Sequence, residues 1–262
     1  MGPTPALAIL HPGAMGAAVA ACLVGRGHQV GWVRSGRSDA TVRRAAEAGL
    51  IPFDDLAELL AHADVVFSIC PPHGALDVAR ELAGFEGIVV DANAISPETA
   101  TLIGDVVTAG GARYVDGGII GPPPVTAGAT RLYLAGDDGE VANLFAGSAL
   151  DVVRLTGAPP AASALKMTYA AWTKTTAALL VSIRDTAAAY GVDGDLAAEW
   201  AISQPHLADA WRRAKGQTHE KGWRWAYELA EVGRTFAAVG QPEGFGAAAS
   251  EVFANDDAPQ PD

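Results

Sequence analysis

The sequence predicts an α/β protein with a doubly wound, Rossmann-type sheet, followed by an all-α carboxy-terminal domain that begins with a long interdomain helix. Up to Leu155, short apolar runs alternate with helical segments, as in successive βαβ units. The early runs are apolar throughout instead of alternating, which is typical of parallel strands buried on both faces. After Leu155 only helical patterns follow. Together these observations predict a sheet domain and a helical domain.

Seven apolar runs are interpreted as strands, and four segments between them as helices with recognisable starts. The strands are Ala6–Leu10, Gln29–Val33, Val65–Cys70, Ile88–Asp91, Arg113–Asp116, Arg131–Ala135 and Val152–Leu155. The helices are Ala14–Gly25, Leu56–Ala61, Glu98–Ala109 and Gly139–Gly147. Three of them follow Asp or Ser residues, whose side chains accept hydrogen bonds from the first free N–H groups of a helix.

A cluster of helix-breaking residues, Gly157–Pro160, predicts a boundary between domains 1–156 and 157–262. The next segment, Ala161–Tyr190, has no Gly or Pro and is apolar nearly all the way round, which predicts a helix buried on every side. Lys174 and Arg184 are interpreted as surface or interface charges. The remaining chain is predicted to be helical, with breaks at Pro205, Gly216, Gly222 and Gly240–Gly246.

Composition excludes several classes of protein. The 262 residues carry a net charge of −12, so nucleic acid and anionic membranes are poor partners. The two cysteines, Cys22 and Cys70, cannot form a disulfide framework or a cysteine-rich metal site, and His206 and His219 lack neighbours at ligand spacing. No apolar run reaches the roughly 18 residues of a membrane span, and no signal peptide is visible. We therefore expect a cytoplasmic protein without a metal.

A glycine-containing loop between the first strand and the first helix predicts a dinucleotide site. It comprises His11, Pro12, Gly13, Ala14, Met15 and Gly16. In this context Gly13 lets the backbone approach a pyrophosphate, Gly16 lets the helix pack on the strand, and the helix N-terminus attracts phosphate. His11 stands where the first glycine of the usual motif would be. The alternative is a tight turn that binds no ligand.

The end of the second strand indicates which dinucleotide would bind. NAD sites usually place an acidic residue there, whereas this sequence has Arg34, Ser35, Arg37 and Ser38. Guanidinium groups pair well with phosphate oxygens, so we expect NADP(H) to be preferred, with NAD(H) as the alternative. The competing interpretation is a solvated basic loop in which Ser38 caps the next helix.

These residues, together with four later motifs, resemble the β-hydroxyacid dehydrogenase superfamily. It includes 3-hydroxyisobutyrate dehydrogenase, 6-phosphogluconate dehydrogenase and the imine reductases. The resemblance covers nearly the whole chain and is greatest to a branch with a 6-phosphogluconate dehydrogenase-like carboxy-terminal domain of unknown function. The matching segments are His11–Gly16 with Gly27–Val30, Ser68–Pro72, Asp91–Pro97, Asp116–Pro122 and Ala164–Tyr169.

The resemblance implies roles for particular residues. Lys166 corresponds to the catalytic lysine. Tyr169 lies three residues later, on the same face of the helix, and could orient the reacting group. Cofactor contacts are implied for Cys70, Pro71, Pro72, Asn93 and, with a weaker match, Lys221. Substrate contacts are implied for Ser96, Gly117, Gly118, Ile119, Ile120, Gly121 and Tyr169. The resemblance also implies a homodimer formed through the helical domains. Asn93 and Ser96 could make polar contacts to the carboxamide or ribose of the cofactor, and the equally weighted alternative is that Ser96 only caps the helix before Pro97.

Four departures weaken the expected carboxylate-binding half of the site. Ile120 replaces the serine of the substrate loop, Ala170 replaces an asparagine, Tyr169 stands where the phosphogluconate enzymes have histidine, and Gly222 replaces an aspartate. A small 3-hydroxy acid is therefore in doubt as the substrate.

Lys166 is an unusual residue for its position, independently of any resemblance. A charged side chain within an apolar helix is costly unless it is paired or faces a cavity, and partial desolvation suits a lysine to proton transfer. The alternative is a lysine that reaches solvent from the helix end.

We predict an NADP(H)-dependent oxidoreductase acting on a small alcohol or carbonyl compound. The alternatives are an imine reductase, a non-catalytic dinucleotide-binding protein and, less favoured, a methyltransferase.

Overall fold

The computed structural model describes residues 4–137 and 139–254, and within one helix the side chains of residues 217–223 lie outside the described part. The chain divides into two compact units between Lys166 and Met167. The sequence predicts this division at 156–157. The difference arises because the next helix starts on the sheet unit, where its first N–H groups bind the carboxylate of Asp116.

Within the described residues, the first unit contains one eight-stranded sheet in the order β3-β2-β1-β4-β5-β6-β7-β8. The strands are β1 (Leu7–Leu10), β2 (Val30–Val33), β3 (Ile51–Phe53), β4 (Val65–Ser68), β5 (Ile88–Asp91), β6 (Arg113–Ile120), β7 (Thr130–Ala135) and β8 (Leu150–Arg154). Strands β1 to β6 are parallel, β7 runs antiparallel to β6, and β8 is parallel to β7. The predicted doubly wound sheet is confirmed.

Helices cover both faces of this sheet. They are α1 (Ala14–Val24), α2 (Asp39–Glu47), α3 (Leu56–His62), α4 (Ala75–Glu81), α5 (Pro97–Ala109) and α6 (Glu140–Leu144). Leu7 and Ile9 belong to a buried cluster with residues of α1, whereas Ala8 and Leu10 join a second cluster with residues of α4 and α5. The inner strands β1, β4 and β5 are thus buried on both faces, which explains why their sequences do not alternate.

Two strands differ from the sequence prediction. The edge strand β3 was not predicted, because it has only three residues, contains Pro52, and leaves Ile51 39% exposed. Proline is tolerated in an edge strand, where a missing N–H breaks no ladder. Strand β6 continues beyond Asp116 to Ile120, because β7 pairs with this part of it. The glycines in that extension hide the strand from a propensity argument.

The second unit is helical. Helix α7 (Ala161–Ala170) continues through a π-helical turn (Ala171–Thr175) into α8 (Thr176–Ala189), and α9 (Asp193–Ser203), α10 (Leu207–Ala237) and α11 (Gly244–Ala254) follow. The predicted long helical segment is confirmed. The predicted breaks at Gly216 and Gly222 are wrong, because α10 runs through both. Glycine inside a helix lowers stability by about 1 kcal/mol relative to alanine, which packing can offset.

Three interpretations of this unit need correction. Lys174 is buried and forms an ion pair with Glu228, with its ammonium 5.6 Å from the Trp225 ring. Arg184 binds Asp193 and lies 4.3 Å from the Trp211 ring. The segment from α7 to α8 is not buried on every side in the single chain, because Trp172 is 74% exposed and Leu179 is 57% exposed. In the described part of the chain, no helix is both long and apolar enough to span a membrane.

Candidate functional site

The loop between β1 and α1 has the shape that a dinucleotide requires. A side chain at Gly16 would place its Cβ 2.7 Å from the carbonyl oxygen of His11, so only glycine lets α1 pack against the loop. At Gly13 the corresponding position has no atom within 4 Å, which leaves the backbone open to a ligand. No side chain caps α1, and its first turn has no acidic residue. The free N–H groups and positive end of α1 therefore fit a pyrophosphate.

His11, which stands where the usual motif has its first glycine, has a left-handed backbone conformation with φ of 65°. For a residue other than glycine this conformation costs on the order of 1 kcal/mol. Its carbonyl oxygen accepts a hydrogen bond from the N–H of Gly13 at 2.7 Å, which tightens the loop. Burial, and next the charge of Arg37, lower the pKa of His11 to about 4. The imidazole beside the loop is therefore neutral at physiological pH.

The basic segment after β2 contains two arginines in different surroundings. Arg34 is exposed, whereas Arg37 is half-buried and close enough to His11 and Cys70 to affect the pKa of each. Ser38 is the N-cap of α2 and accepts a hydrogen bond from the N–H of Thr41 at 3.3 Å. The segment thus places one guanidinium beside the dinucleotide loop and the other in solvent. The capping role raised for Ser38 is confirmed, and its cofactor contact stays a prediction.

The end of β4 is tied to the residues after β5 by Asn93. Its side-chain oxygen accepts from the N–H of Cys70 at 2.6 Å, and its amide nitrogen donates to the Ser68 hydroxyl at 3.0 Å. Because Asn93 is only 2% exposed, its side chain holds the strand ends together. Pro71 precedes a short 3₁₀ turn that begins at Pro72. Burial and the charge of Asp91 raise the pKa of the Cys70 thiol to about 12, so it stays protonated.

Ser68, Asp91 and Asp116 form a buried polar row across three neighbouring strands, at the carboxyl ends of β4 and β5 and in the middle of β6. They are neighbours in strand register, Ser68 with Asp91 and Asp91 with Asp116. Their exposures are 4%, 2% and 0%. Burial raises the pKa of Asp91 to about 7, although its Oδ1 accepts a hydrogen bond from the N–H of Asn93 at 2.9 Å. Burial also raises the pKa of Asp116.

Asp116 binds the start of α7. Its Oδ2 accepts from the N–H of Ala162 at 2.7 Å and from the N–H of Ser163 at 3.1 Å. Its Oδ1 accepts from the Ser163 hydroxyl at 2.6 Å. A carboxylate at the N-terminus of a helix is favoured by the free N–H groups and by the helix dipole. The sheet therefore fixes where α7 begins.

Gly118 allows α7 to lie close against β6. A side chain there would place its Cβ 2.7 Å from the carbonyl oxygen of Ala162 and 3.1 Å from the Cβ of Lys166. Lys166 is half-buried and belongs to the same compact unit as the dinucleotide loop. The structure thus brings the predicted catalytic lysine against the predicted substrate segment.

The other predicted substrate residues are placed less favourably. The side chains of Ile119 and Ile120 are 6% and 4% exposed, so both are packed within the protein. Gly117 is buried against the backbone of Asp91 and Ala92, and Gly121 begins an exposed turn with φ of 130°. Any contact of these four residues with a substrate would therefore be made by their backbone atoms. Such contacts stay predictions.

Three further residues were predicted to contact substrate or cofactor: Ser96, Tyr169 and Lys221. Ser96 is fully buried and caps α5, accepting from the N–H of Thr99 at 3.2 Å, which favours the capping interpretation over substrate contact. Tyr169 is 46% exposed and belongs to the second unit. Lys221 falls within the stretch of side chains outside the described residues. Cofactor and substrate contacts by these residues stay predictions.

Two family models and one curated protein match parts of this sequence. Residues 7–146 match the model of the NAD binding domain of 6-phosphogluconate dehydrogenase, and residues 187–255 match a domain of unknown function, DUF1932. An uncharacterised 28.5 kDa protein of Methanothermus fervidus is 28% identical over 162 residues, which are 62% of this chain and 62% of that protein. The match thus spans less than two thirds of the relative's own length.

Solved structures share the fold. A conserved protein of unknown function, described as similar to 3-hydroxyacid dehydrogenases, is 25% identical with a TM-score of 0.71, covering 95% of each chain. The 3-hydroxyisobutyrate dehydrogenase of Mycobacterium tuberculosis is 20% identical with a TM-score of 0.70, covering 96% of this chain and 93% of that one. A reductive aminase of Aspergillus terreus, solved with NADPH, is 16% identical with a TM-score of 0.59, over 96% and 93% of the two chains. The predicted resemblance is confirmed.

Proposed function

Because the chain belongs to the protein family defined by the NAD binding domain of 6-phosphogluconate dehydrogenase, we propose that it is an NADP(H)-dependent oxidoreductase acting on a small alcohol or carbonyl compound. The observation that carries the proposal is the position of Lys166 against Gly118, in the same unit as the open loop at Gly13. One compact unit then supplies both a dinucleotide cradle and an amine for proton transfer.

Different residues of the chain would bind the dinucleotide and transfer the proton. A bound nicotinamide would supply or accept the hydride. The N–H groups at the start of α1 would bind the pyrophosphate, and Gly13 would let it approach the backbone. Lys166 would hold a proton at the substrate oxygen during reduction and take it back during oxidation. Cys70, whose thiol stays protonated, and His11, whose imidazole stays neutral, add no charge to the cradle.

Turnover with a panel of substrates tests the proposal. The protein is assayed with NADPH and NADH against small aldehydes, ketones and 3-oxo acids, and with NADP⁺ against the matching alcohols. We expect nicotinamide-dependent turnover of a carbonyl compound. Binding of NADPH without turnover of any substrate would favour a non-catalytic dinucleotide-binding protein, and absence of NADPH binding would contradict the proposal.

Imine reduction is the second candidate function. It is favoured by Ile120, a buried apolar residue where the resembling family holds a carboxylate through serine. The same panel therefore includes cyclic imines and mixtures of a ketone with an amine. Turnover of these with NADPH, but not of ketones alone, would assign the protein to this class.

The preference for NADP(H) is expected to depend on Arg34 and Arg37. A charged hydrogen bond contributes about 1.5–3 kcal/mol, so replacing either arginine that contacts the 2′-phosphate is expected to weaken NADPH binding by about 10- to 100-fold. NADH binding should change little, because NADH lacks that phosphate. Isothermal titration calorimetry of R34A and R37A with both dinucleotides measures the difference.

Arg80→Ala is the matched control, because Arg80 is an exposed arginine of α4 that binds Asp77. It should leave both affinities unchanged. Equal losses for NADPH and NADH in R34A and R37A would contradict a 2′-phosphate contact.

We also propose that two copies of the chain associate through the helical unit. Tyr169, Trp172, Leu179 and Tyr190 are large apolar or aromatic side chains with exposures of 46%, 74%, 57% and 81% in the single chain. Large exposed apolar surfaces mark association sites.

A cytoplasmic location remains part of the proposal.

A further inference from the structure

The helix that carries Lys166 is fixed to the sheet at two points. The first is Asp116, whose carboxylate accepts three N–H or O–H groups from Ala162 and Ser163 at 2.6–3.1 Å. The second is Gly118, against which the Ala162 carbonyl and the Lys166 Cβ lie too closely for any side chain. Asp116 and Gly118 lie on the same face of β6, because side chains of a strand alternate.

The two points determine where the backbone and Cβ of Lys166 are held. Ala162 and Lys166 are separated by about one helical turn, so they lie on the same side of α7. If the start of α7 is fixed by Asp116, the helix can neither slide along β6 nor rotate without breaking buried, charge-assisted hydrogen bonds. The sheet then places the point from which the Lys166 side chain projects.

We propose that Asp116, together with Ser163, is a positioning residue for Lys166. The inference rests on the proposed function, because it requires Lys166 to be the group that transfers the proton. It assigns no step of the reaction to Asp116. Asp116 is fully buried and its carboxylate is engaged with the start of α7, so it acts through the helix.

The buried polar row extends this anchor toward the dinucleotide side of the sheet. Asp91, the neighbour of Asp116 in register, accepts the N–H of Asn93, and Asn93 in turn binds the N–H of Cys70 and the hydroxyl of Ser68. The residues that fix the end of β4 and the residue that fixes α7 thus lie on neighbouring strands, with Asp91 between them in register. This buried part of the sheet would hold the start of α7 in a fixed position relative to the end of β4.

A double-mutant cycle tests the inference. In D116A the N–H groups of Ala162 and Ser163 lose their acceptor, and we expect kcat to fall by about 10- to 100-fold, because small displacements of a catalytic group have effects of this size. The Kd for NADPH should stay within about twofold, since the loop and α1 are untouched. Asp116→Asn, which keeps an acceptor oxygen, should recover part of kcat.

The decisive comparison is made in the absence of Lys166. In a K166M background, D116A should lower kcat no further, because a residue that acts through Lys166 has nothing left to position. A further fall similar to that in the wild type would overturn the inference. Wild-type kcat in a folded D116A would overturn it as well.

A matched control separates positioning from general loss of stability. Asp55 caps α3 by accepting the N–H of Glu58 at 2.8 Å, so D55A removes a capping carboxylate elsewhere in the same unit. It should leave kcat unchanged. If D116A does not fold, Ser163→Ala, which removes only the hydroxyl contact, gives the same test, with a smaller fall in kcat expected and an unchanged kcat contradicting the inference.

Hydrogen exchange distinguishes failure of this inference from failure of the proposed function. The amides of Ala162 and Ser163 should exchange faster in D116A than in the wild type, whatever reaction the protein catalyses. If K166M retains activity, the proposed role of Lys166 fails while the anchor can still be observed. If K166M is inactive and D116A exchanges like the wild type, only the positioning role fails.

Discussion

Replacing Lys166 with methionine is expected to lower kcat by about 10²- to 10⁴-fold, which is the usual contribution of a positioned general acid or base. Methionine keeps most of the apolar stem that packs against Gly118 but cannot donate or accept the proton. The Kd for NADPH is expected to stay near the wild-type value, because the dinucleotide loop lies at the end of β1. Steady-state kinetics and calorimetry measure the two quantities.

Lys215→Met is the matched control, because Lys215 is an exposed lysine of α10. It should behave like the wild type. A K166M protein that retains kcat within about threefold would show that Lys166 is not the acid or base. Loss of NADPH binding in K166M would instead indicate damage to the sheet unit.

Replacing Asp91 with asparagine is expected to change the pH dependence of stability. Burial raises the pKa of Asp91 from 3.8 to about 7, so the folded protein retains a proton that the unfolded chain releases between these pH values. The stabilisation from this protonated form is present below pH 3.8 and is lost as the pH rises through about 7. The full difference corresponds to about 4 kcal/mol, since one pKa unit equals about 1.4 kcal/mol.

An asparagine in this position resembles the protonated carboxyl group and cannot ionise, while its side-chain oxygen can still accept the N–H of Asn93. The free energy of unfolding of D91N should therefore rise relative to the wild type by about 3 kcal/mol between pH 5 and pH 8. His11 acts in the opposite direction, because its folded pKa of about 4 lies below its ordinary 6.5 and its stabilisation is lost as the pH falls. The contribution of His11 cancels when D91N is compared with the wild type at each pH.

Urea unfolding at pH 5, 6.5 and 8 measures this difference. Asp105→Asn, at an exposed carboxylate of α5, is the control and should give a constant difference. A constant difference for D91N would show that Asp91 ionises as easily in the folded protein as in the unfolded chain.

The cofactor half of the candidate site could be predicted from the sequence because its residues are local. Gly13 and Gly16 lie between a strand and a helix, and the structure gives them the open and the close-packed positions that this context requires. The left-handed backbone conformation of His11 could not be predicted from its residue type. Its left-handed backbone follows from the tight turn at the end of β1, and histidine tolerates it at a modest cost.

The buried polar row was missed, although a signal for it was present. Asp91 and Asp116 each end an apolar run, and a carboxylate in such a run must be buried, paired or at a strand end. Their partners are distant in sequence: Ser163 lies 47 residues after Asp116. Hydrophobic patterns carry no information about which strand ends become neighbours, so the role of Asp116 could not be assigned.

By itself the sequence determined the class of fold, the dinucleotide loop and the choice of Lys166 as the candidate amine, because each depends on short-range periodicity, glycine positions or an unusual residue within one helix. Only the tertiary structure decided that α7 starts on the sheet, that Gly118 meets Lys166, that Asn93 ties the end of β4 to the residues after β5, and that Ser96 caps α5. These features depend on the register of β4, β5 and β6, which is set by packing of the whole sheet and not by any local stretch of residues.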